Sequence, residues 1–124
     1  MTARKVVNAD EWLYRRSWPD KKYMNPDGTA TSRVFKLRPK DNGELSVDIK
    51  SLTTPDKAVG DSSRFYLFEL SNRYVLQITD TKLVTYYDPL PDGSNNAHAV
   101  IVGMVPEDDI IPALLAKASK RVFV

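Results

Sequence analysis

The sequence predicts an α+β fold, a small and mostly antiparallel β-sheet packed by one C-terminal amphipathic helix. Three observations carry that prediction. Short segments alternate polar and apolar residues, residues 97–102 form an apolar run, and one stripe of apolar residues near the C-terminus recurs at three- and four-residue spacing. With 124 residues, 42% of them hydrophobic and 27% charged, the chain suits one domain over 1–124 and can build a core without covalent staples.

The elements follow in order. Trp12-Leu13-Tyr14 is expected to form a short helix or strand at the edge of the sheet. In Arg33-Val34-Phe35-Lys36-Leu37-Arg38, Phe35 and Leu37 share one face and Lys36 and Arg38 the other. In residues 44–50, Leu45, Val47 and Ile49 alternate with polar neighbours in the same way. The two segments are predicted to form a hairpin. A two-residue Asn42-Gly43 turn would set Arg38 opposite Val47 and mix the faces. A three-residue loop, Asp41-Asn42-Gly43 with its glycine left-handed, pairs Leu37 with Val47 and Phe35 with Ile49. It also sets Lys36 against Asp48 and Lys40 against Glu44, so the three-residue loop is preferred.

Residues 51–63 are polar and predict a loop with a helical turn near 56–59. Phe65-Tyr66-Leu67-Phe68-Glu69-Leu70 is aromatic-rich and strand-like. Residues 73–79 fit a helix through Tyr74, Val75 and Ile78, or a strand through Tyr74, Leu76 and Ile78; periodicity does not choose. Residues 83–87 predict a strand stopped by Asp88-Pro89, and 89–96 a loop. Residues 97–102 predict a central strand covered on both faces, ending at Gly103. Ile110, Ile111, Leu114, Leu115, Ala118 and Val122 make the helical stripe, with Asp108 or Asp109 as cap and Pro112 in the first turn. Lys117, Lys120 and Arg121 would complement the rear of the helix dipole.

Composition removes several chemistries. Without cysteine there is no disulfide framework, thiol nucleophile or thiolate metal site, and one histidine cannot make a multi-histidine site. No cofactor is expected. The first residues carry charge without an apolar stretch, so neither a leader nor a membrane anchor is expected and a cytoplasmic setting is the default. Charge is uneven. Residues 1–40 hold ten Lys/Arg against four Asp/Glu, a net of +6, while the rest carries −4. The early cationic stretch is expected to gather into a single patch.

His98 is the one imidazole, so any histidine acid–base chemistry falls to it; the plainer expectation is a core histidine bonded to a backbone carbonyl or a tyrosine hydroxyl. Arg15-Arg16 stands among Trp12, Tyr14 and Trp18. Arginine forks grip phosphate and aromatic faces stack bases, so these residues suit a nucleotide or single strand, with Lys21, Lys22, Arg33 and Arg38 extending the field. The plainer alternative is one arginine stacked on a tryptophan and the rest solvated.

Two enzyme patterns resemble parts of the chain. Pro19-Asp20 with Asp48-Ile49-Lys50 resembles the Pro-Asp…Asp-x-Lys pattern of restriction-type nucleases, though the hairpin register pairs Asp48 with Lys36 and leaves no neighbouring acid. Arg15, the Thr29-Ala30-Thr31-Ser32 stretch and Glu69 or Glu107 resemble the Arg…Ser-Thr-Ser…Glu set of ADP-ribosyltransferases, with a broken triplet and short spacing. No phosphate-cradling glycine loop and no Gly-x-Ser-x-Gly elbow occurs.

Tyr14-Arg15-Arg16, Thr31-Ser32-Arg33-Val34-Phe35, Leu45-Ser46-Val47-Asp48, Tyr87-Asp88-Pro89 and the run Asn96-Ala97-His98-Ala99-Val100-Ile101-Val102-Gly103 together resemble a loose group of small bacterial proteins of unassigned function. The resemblance spans most of the chain. It implies a bacterial intracellular origin, directs attention to Arg15, Arg16, Ser32 and His98, and supplies no reaction.

Two classes of function stay open. One is a binding or interaction protein whose residues Arg15, Arg16, Trp12, Trp18 and Arg33 engage nucleic acid, a nucleotide or an acidic partner; an inhibitor or immunity-type protein belongs to the same class. The other is a metal-independent enzyme acting on a phosphodiester or nucleotide, with His98, Arg15 and Ser32 in the site. There His98 would move the proton and Arg15, Arg16 or Arg33 would steady developing charge.

Overall fold

The computed structural model describes residues 4–78 and 83–124. Its six strands are β1 (Trp12–Ser17), β2 (Glu44–Ile49), β3 (Tyr66–Ser71), β4 (Val84–Tyr87), β5 (His98–Val102) and β6 (Lys120–Val122). They form one sheet in the order β4-β5-β2-β1-β3-β6, with every pairing antiparallel. Helices α1 (Pro55–Val59), α2 (Asn72–Gln77) and α3 (Ile110–Ala118) complete the α+β architecture. Among the described residues no helix is long and apolar enough to cross a membrane.

Register sorts the side chains into two clusters. Leu13 stands opposite Ile49 and Leu70, so these three share a face with Leu45, Val47, Phe68, Ala99 and Ile101. Val34, Phe35 and Leu37 cover that face together with Ile111 and Leu115 of α3. On the other face Tyr14, Leu67, Ala58 and Val59 form a second cluster under α1. Strand alternation explains the split, because Leu13 and Tyr14 are adjacent and point to opposite sides.

Several expectations need correction. Residues 33–38 are not a strand. Ser32–Phe35 and Pro39–Asp41 are 3₁₀ turns, and β2 pairs with β1 and β5. The reason is burial of Val34 and Phe35 side by side, which a pleated ribbon with one wet face does not allow. The proposed cross-strand partners separate accordingly: Lys36 pairs with Asp109, and Glu44 takes Arg4 at 2.5 Å. Both Asn42 (φ 54°) and Gly43 (φ 78°) are left-handed where only the glycine was expected to be.

The Trp12-Leu13-Tyr14 segment is not at an edge, since β1 lies between β2 and β3. The last helix stops at Ala118, and Val122 belongs to β6, where it pairs with Leu67 and reaches the second cluster. Lys120 and Arg121 therefore do not sit at the helix rear, and Ile110 is 72% exposed. Asp108, one residue before the geometric cap Asp109, does the capping: its Oδ1 accepts from the backbone N–H groups of Ile110 and Ile111 at 3.0 and 3.1 Å.

The open alternative at 73–79 resolves as helix α2 as far as Gln77; Thr79 lies outside the described residues. Buried Asn72 anchors it, donating to the carbonyls of Val7 and Asn8 and accepting from Thr85 Oγ1 at 2.6 Å. Strands near 65–70, 83–87 and 97–102 and the turn near 56–59 stand close to where periodicity places them.

Candidate functional site

The two neighbours of β1 treat it differently. With β3 it pairs along its whole length, from Trp12↔Ser71 to Ser17↔Tyr66. With β2 it pairs only at Leu13↔Ile49 and Tyr14↔Asp48. Residues 15–17 and the first half of β2 face each other without a ladder, and the sheet opens there. A cleft of about 950 Å³ occupies the opening.

Opening a sheet strands backbone groups, and Arg15 answers for one of them. The Ile49 N–H donates to the carbonyl of Ala97, the residue just before β5, so by alternation the Ser46 carbonyl points toward β1. There Arg15 Nη1 donates to it at 2.7 Å, while Arg15 Nε donates to Val34 O at 2.8 Å. One guanidinium thus ties β1 to β2 and to the 3₁₀ turn over the core. Burial pulls its pKa down to about 10, with Asp41 opposing that effect, so it stays charged at neutral pH.

Arg16, one residue on, points to the other face. Its Cζ lies 4.4 Å from the centre of the Phe65 ring, and Phe65 meets Trp18 with ring centroids 5.0 Å apart and planes tilted by 51°. The arginine therefore stacks on a phenylalanine rather than on a tryptophan. Trp18 remains 50% exposed at the cleft.

Further cations line the opening: Arg33, Lys36, Arg38, Lys40 and Lys57. Lys36 is held by Asp109 and Arg38 by Asp41 at 3.3 Å. Among the described residues Arg16, Arg33, Lys40 and Lys57 enter no salt bridge. Two acids line the cleft, Asp48 and Asp109, and Asp109 is already committed. Six of the ten early Lys/Arg residues meet here; Arg4, Lys5, Lys21 and Lys22 do not.

His98 lies on the same wall. Its Nδ1 is 2.8 Å from Asp88 O and 3.3 Å from Asp88 Oδ2, and its side chain is 17% exposed. The carbonyl partner matches the plainer expectation for this histidine, yet the side chain also lines the cleft. Because a carbonyl only accepts, Nδ1 carries the proton and Nε2 is left to exchange one. Tyr14, Asp48 and His98 form one row across β1, β2 and β5. Asn95 Nδ2 donates to Asp48 Oδ1 at 2.8 Å.

Of the residues singled out from sequence, Arg15, Arg16, Trp18, Ser32, Arg33 and His98 line the cleft, and Trp12 does not; its ring lies near Lys50 Nζ, 5.9 Å away. Neither Glu69 nor Glu107 reaches the cleft, so the Arg…Ser…Glu set is not assembled; Glu69 pairs with Lys50 at 3.0 Å. Asp20 is likewise outside it, apart from Asp48, and the described residues contain no cluster of three or more acids and histidine fit for a metal ion. The register that argued against the nuclease pattern is itself corrected: Asp48 faces Tyr14 and His98, not Lys36. Nothing local in the sequence marks Lys40, Lys57, Phe65 or Asn95 as cleft residues, because they come to it from separate elements, Lys40 from a 3₁₀ turn and Lys57 from α1. Comparison with protein-family models, with curated proteins and with solved structures finds no match.

Proposed function

We propose that the cleft binds a single strand of nucleic acid. The observation that carries this is the set of four cations without carboxylate partners, Arg16, Arg33, Lys40 and Lys57, gathered around one opening in the sheet. Like charges gathered around one opening raise a positive field there, which a ligand bringing its own negative charge would relieve. Trp18 adds an exposed aromatic face beside them, which suits a base that is free to stack and disfavours a paired duplex. The volume lies within the range of about 300–1,000 Å³ typical of ligand sites, room for a short piece of chain. An intracellular setting belongs to the same reading, as does the likeness to small bacterial proteins.

Fluorescence anisotropy with labelled 12-residue DNA and RNA tests it. Three or four phosphate contacts give a slope of log affinity against log salt of about −2 to −3 on a single strand. The double variant Arg16→Ala, Arg33→Ala should lower affinity at least about tenfold and flatten the slope by about 1.4. No retention at low salt, or retention that ignores both substitutions, overturns the reading. Capture of an acidic peptide in place of either strand would move it to a protein partner.

A further inference from the structure

We infer that the strand is RNA and that Asp48 and His98 cleave it, the carboxylate taking the proton of a 2′-hydroxyl and the imidazolium giving one to the leaving 5′-oxygen. This rests on the strand-binding reading and adds a reaction to it. Asp48 and His98 are directly opposed on β2 and β5 and point to the same face. The Ile49 N–H bonded to Ala97 O puts the hydrogen-bonded pair one position away. Asp48 and His98 therefore occupy a non-hydrogen-bonded pair, where facing side chains start closest, about 4.5 Å apart at Cα. Both line the cleft.

Each is also held from behind. Asn95 fixes one oxygen of Asp48, and among the described residues no hydrogen bond engages the other. Asp88 fixes Nδ1 of His98, which leaves Nε2 as the working nitrogen. Both restraints come from the chain between β4 and β5, so one loop aligns the two groups. Arg16 lies two residues along β1 from Tyr14, on the same face, and lines the same cleft, so its charge favours a phosphate bound there.

The chemistry chooses the sugar. Of the two, the carboxylate is suited to take a proton and the imidazole ring to give one, so Asp48 serves as the base and His98 as the acid. An acid and a base without a nucleophile of their own need one supplied by the substrate, and the 2′-hydroxyl is already adjacent to phosphorus. In the step the O2′–P bond forms and the P–O5′ bond breaks. The proton of O2′ goes to Asp48, the proton of His98 goes to O5′, and the products are a 2′,3′-cyclic phosphate and a 5′-hydroxyl. Exchange with water restores both groups, and no oxidant, reductant or other co-reactant is needed. A DNA strand can bind but has no hydroxyl to activate.

The test incubates the protein with end-labelled RNA, the same sequence as DNA, and RNA carrying one 2′-deoxy sugar at the mapped cut, with anisotropy run in parallel. Expected is cleavage of RNA alone, to cyclic phosphate and 5′-hydroxyl ends, absent at the 2′-deoxy position. His98→Gln and Asp48→Asn should each slow cleavage at least about 100-fold with affinity unchanged within about twofold. The 2′-deoxy strand makes the test on unaltered protein, so it survives a variant that fails to fold. RNA bound but left intact, or cut equally by both variants, overturns cleavage and leaves strand binding standing. Neither strand retained overturns the binding reading as well.

Discussion

Strand β1 contains two regions built on opposite terms. In its first half, Leu13 is 1% exposed and both backbone edges are paired, to β2 and to β3. In its second half, residues 15–17 keep only β3, and Arg15 stands on the same face as Leu13. A guanidinium there replaces missing ladder bonds with side-chain bonds to Val34 O and Ser46 O. The difference teaches how a small sheet gains an opening without leaving its backbone unsatisfied. An apolar residue closes the sheet; an arginine holds it ajar. The carbonyls of Val34 and Ser46 find a donor at the gap, and a gap whose polar groups are satisfied can persist.

Substitutions can break that contrast in graded steps. Leu13→Ala strikes the closed half and should cost about 3 kcal/mol, the usual penalty for removing a fully buried leucine, measured by urea unfolding. Oligonucleotide affinity of the folded fraction should not change. Arg15→Ala strikes the hinge of the opening. Losing two charge-assisted bonds and leaving carbonyls without a donor should cost about 2 kcal/mol in the same experiment, and Arg15→Lys should recover less than half, because an ammonium lacks the fork. Arg16→Ala, one residue away, should change stability by less than about 0.5 kcal/mol while weakening strand binding several-fold. Two adjacent arginines would thus separate, one into stability and one into affinity.

The smallest effect concerns pH. Burial pushes the Asp41 carboxyl up, but the backbone N–H of Arg38 at 2.8 Å and the Arg38 guanidinium outweigh it and leave it lowered. A carboxylate whose folded value is lowered adds stability above its unfolded value, near 3.9, and that stability is lost as pH falls through the folded value. Asp41→Asn should therefore cost under about 1 kcal/mol at pH 7, and its deficit should shrink below about pH 4. A deficit that grows on acidification contradicts the assignment.

How far the chain announces these features differs between the same two regions. Leu45, Val47 and Ile49, the run ending in Val100, Ile101 and Val102, and the Ile111/Leu115 stripe are legible because each element is buried on a face that its own period exposes to view. Residues 33–38 mislead because Phe35 and Leu37 mimic a period of two while Val34, equally buried, breaks it. β1 hides its central place, since Arg15, Arg16 and Ser17 do not look like the interior of a sheet. Charge asymmetry marks the early cations, and six of the ten line the cleft, but Arg15 and Arg16 point to opposite faces and carboxylates hold Lys36 and Arg38, so they do not make one uninterrupted patch. The pairing of Asp48 with His98 does not follow from anything local. It spans fifty positions and arises only from the order of strands in the sheet.

Titrating isotopically labelled protein with a single-stranded oligonucleotide and following amide and arginine side-chain resonances tests the central claim most directly. Shifts should concentrate at Arg15, Arg16, Trp18, Arg33, Asp48 and His98, on the rim of the opening. Perturbations centred instead on Arg73, Lys117 or Lys120, none of which lines the cleft, would contradict it.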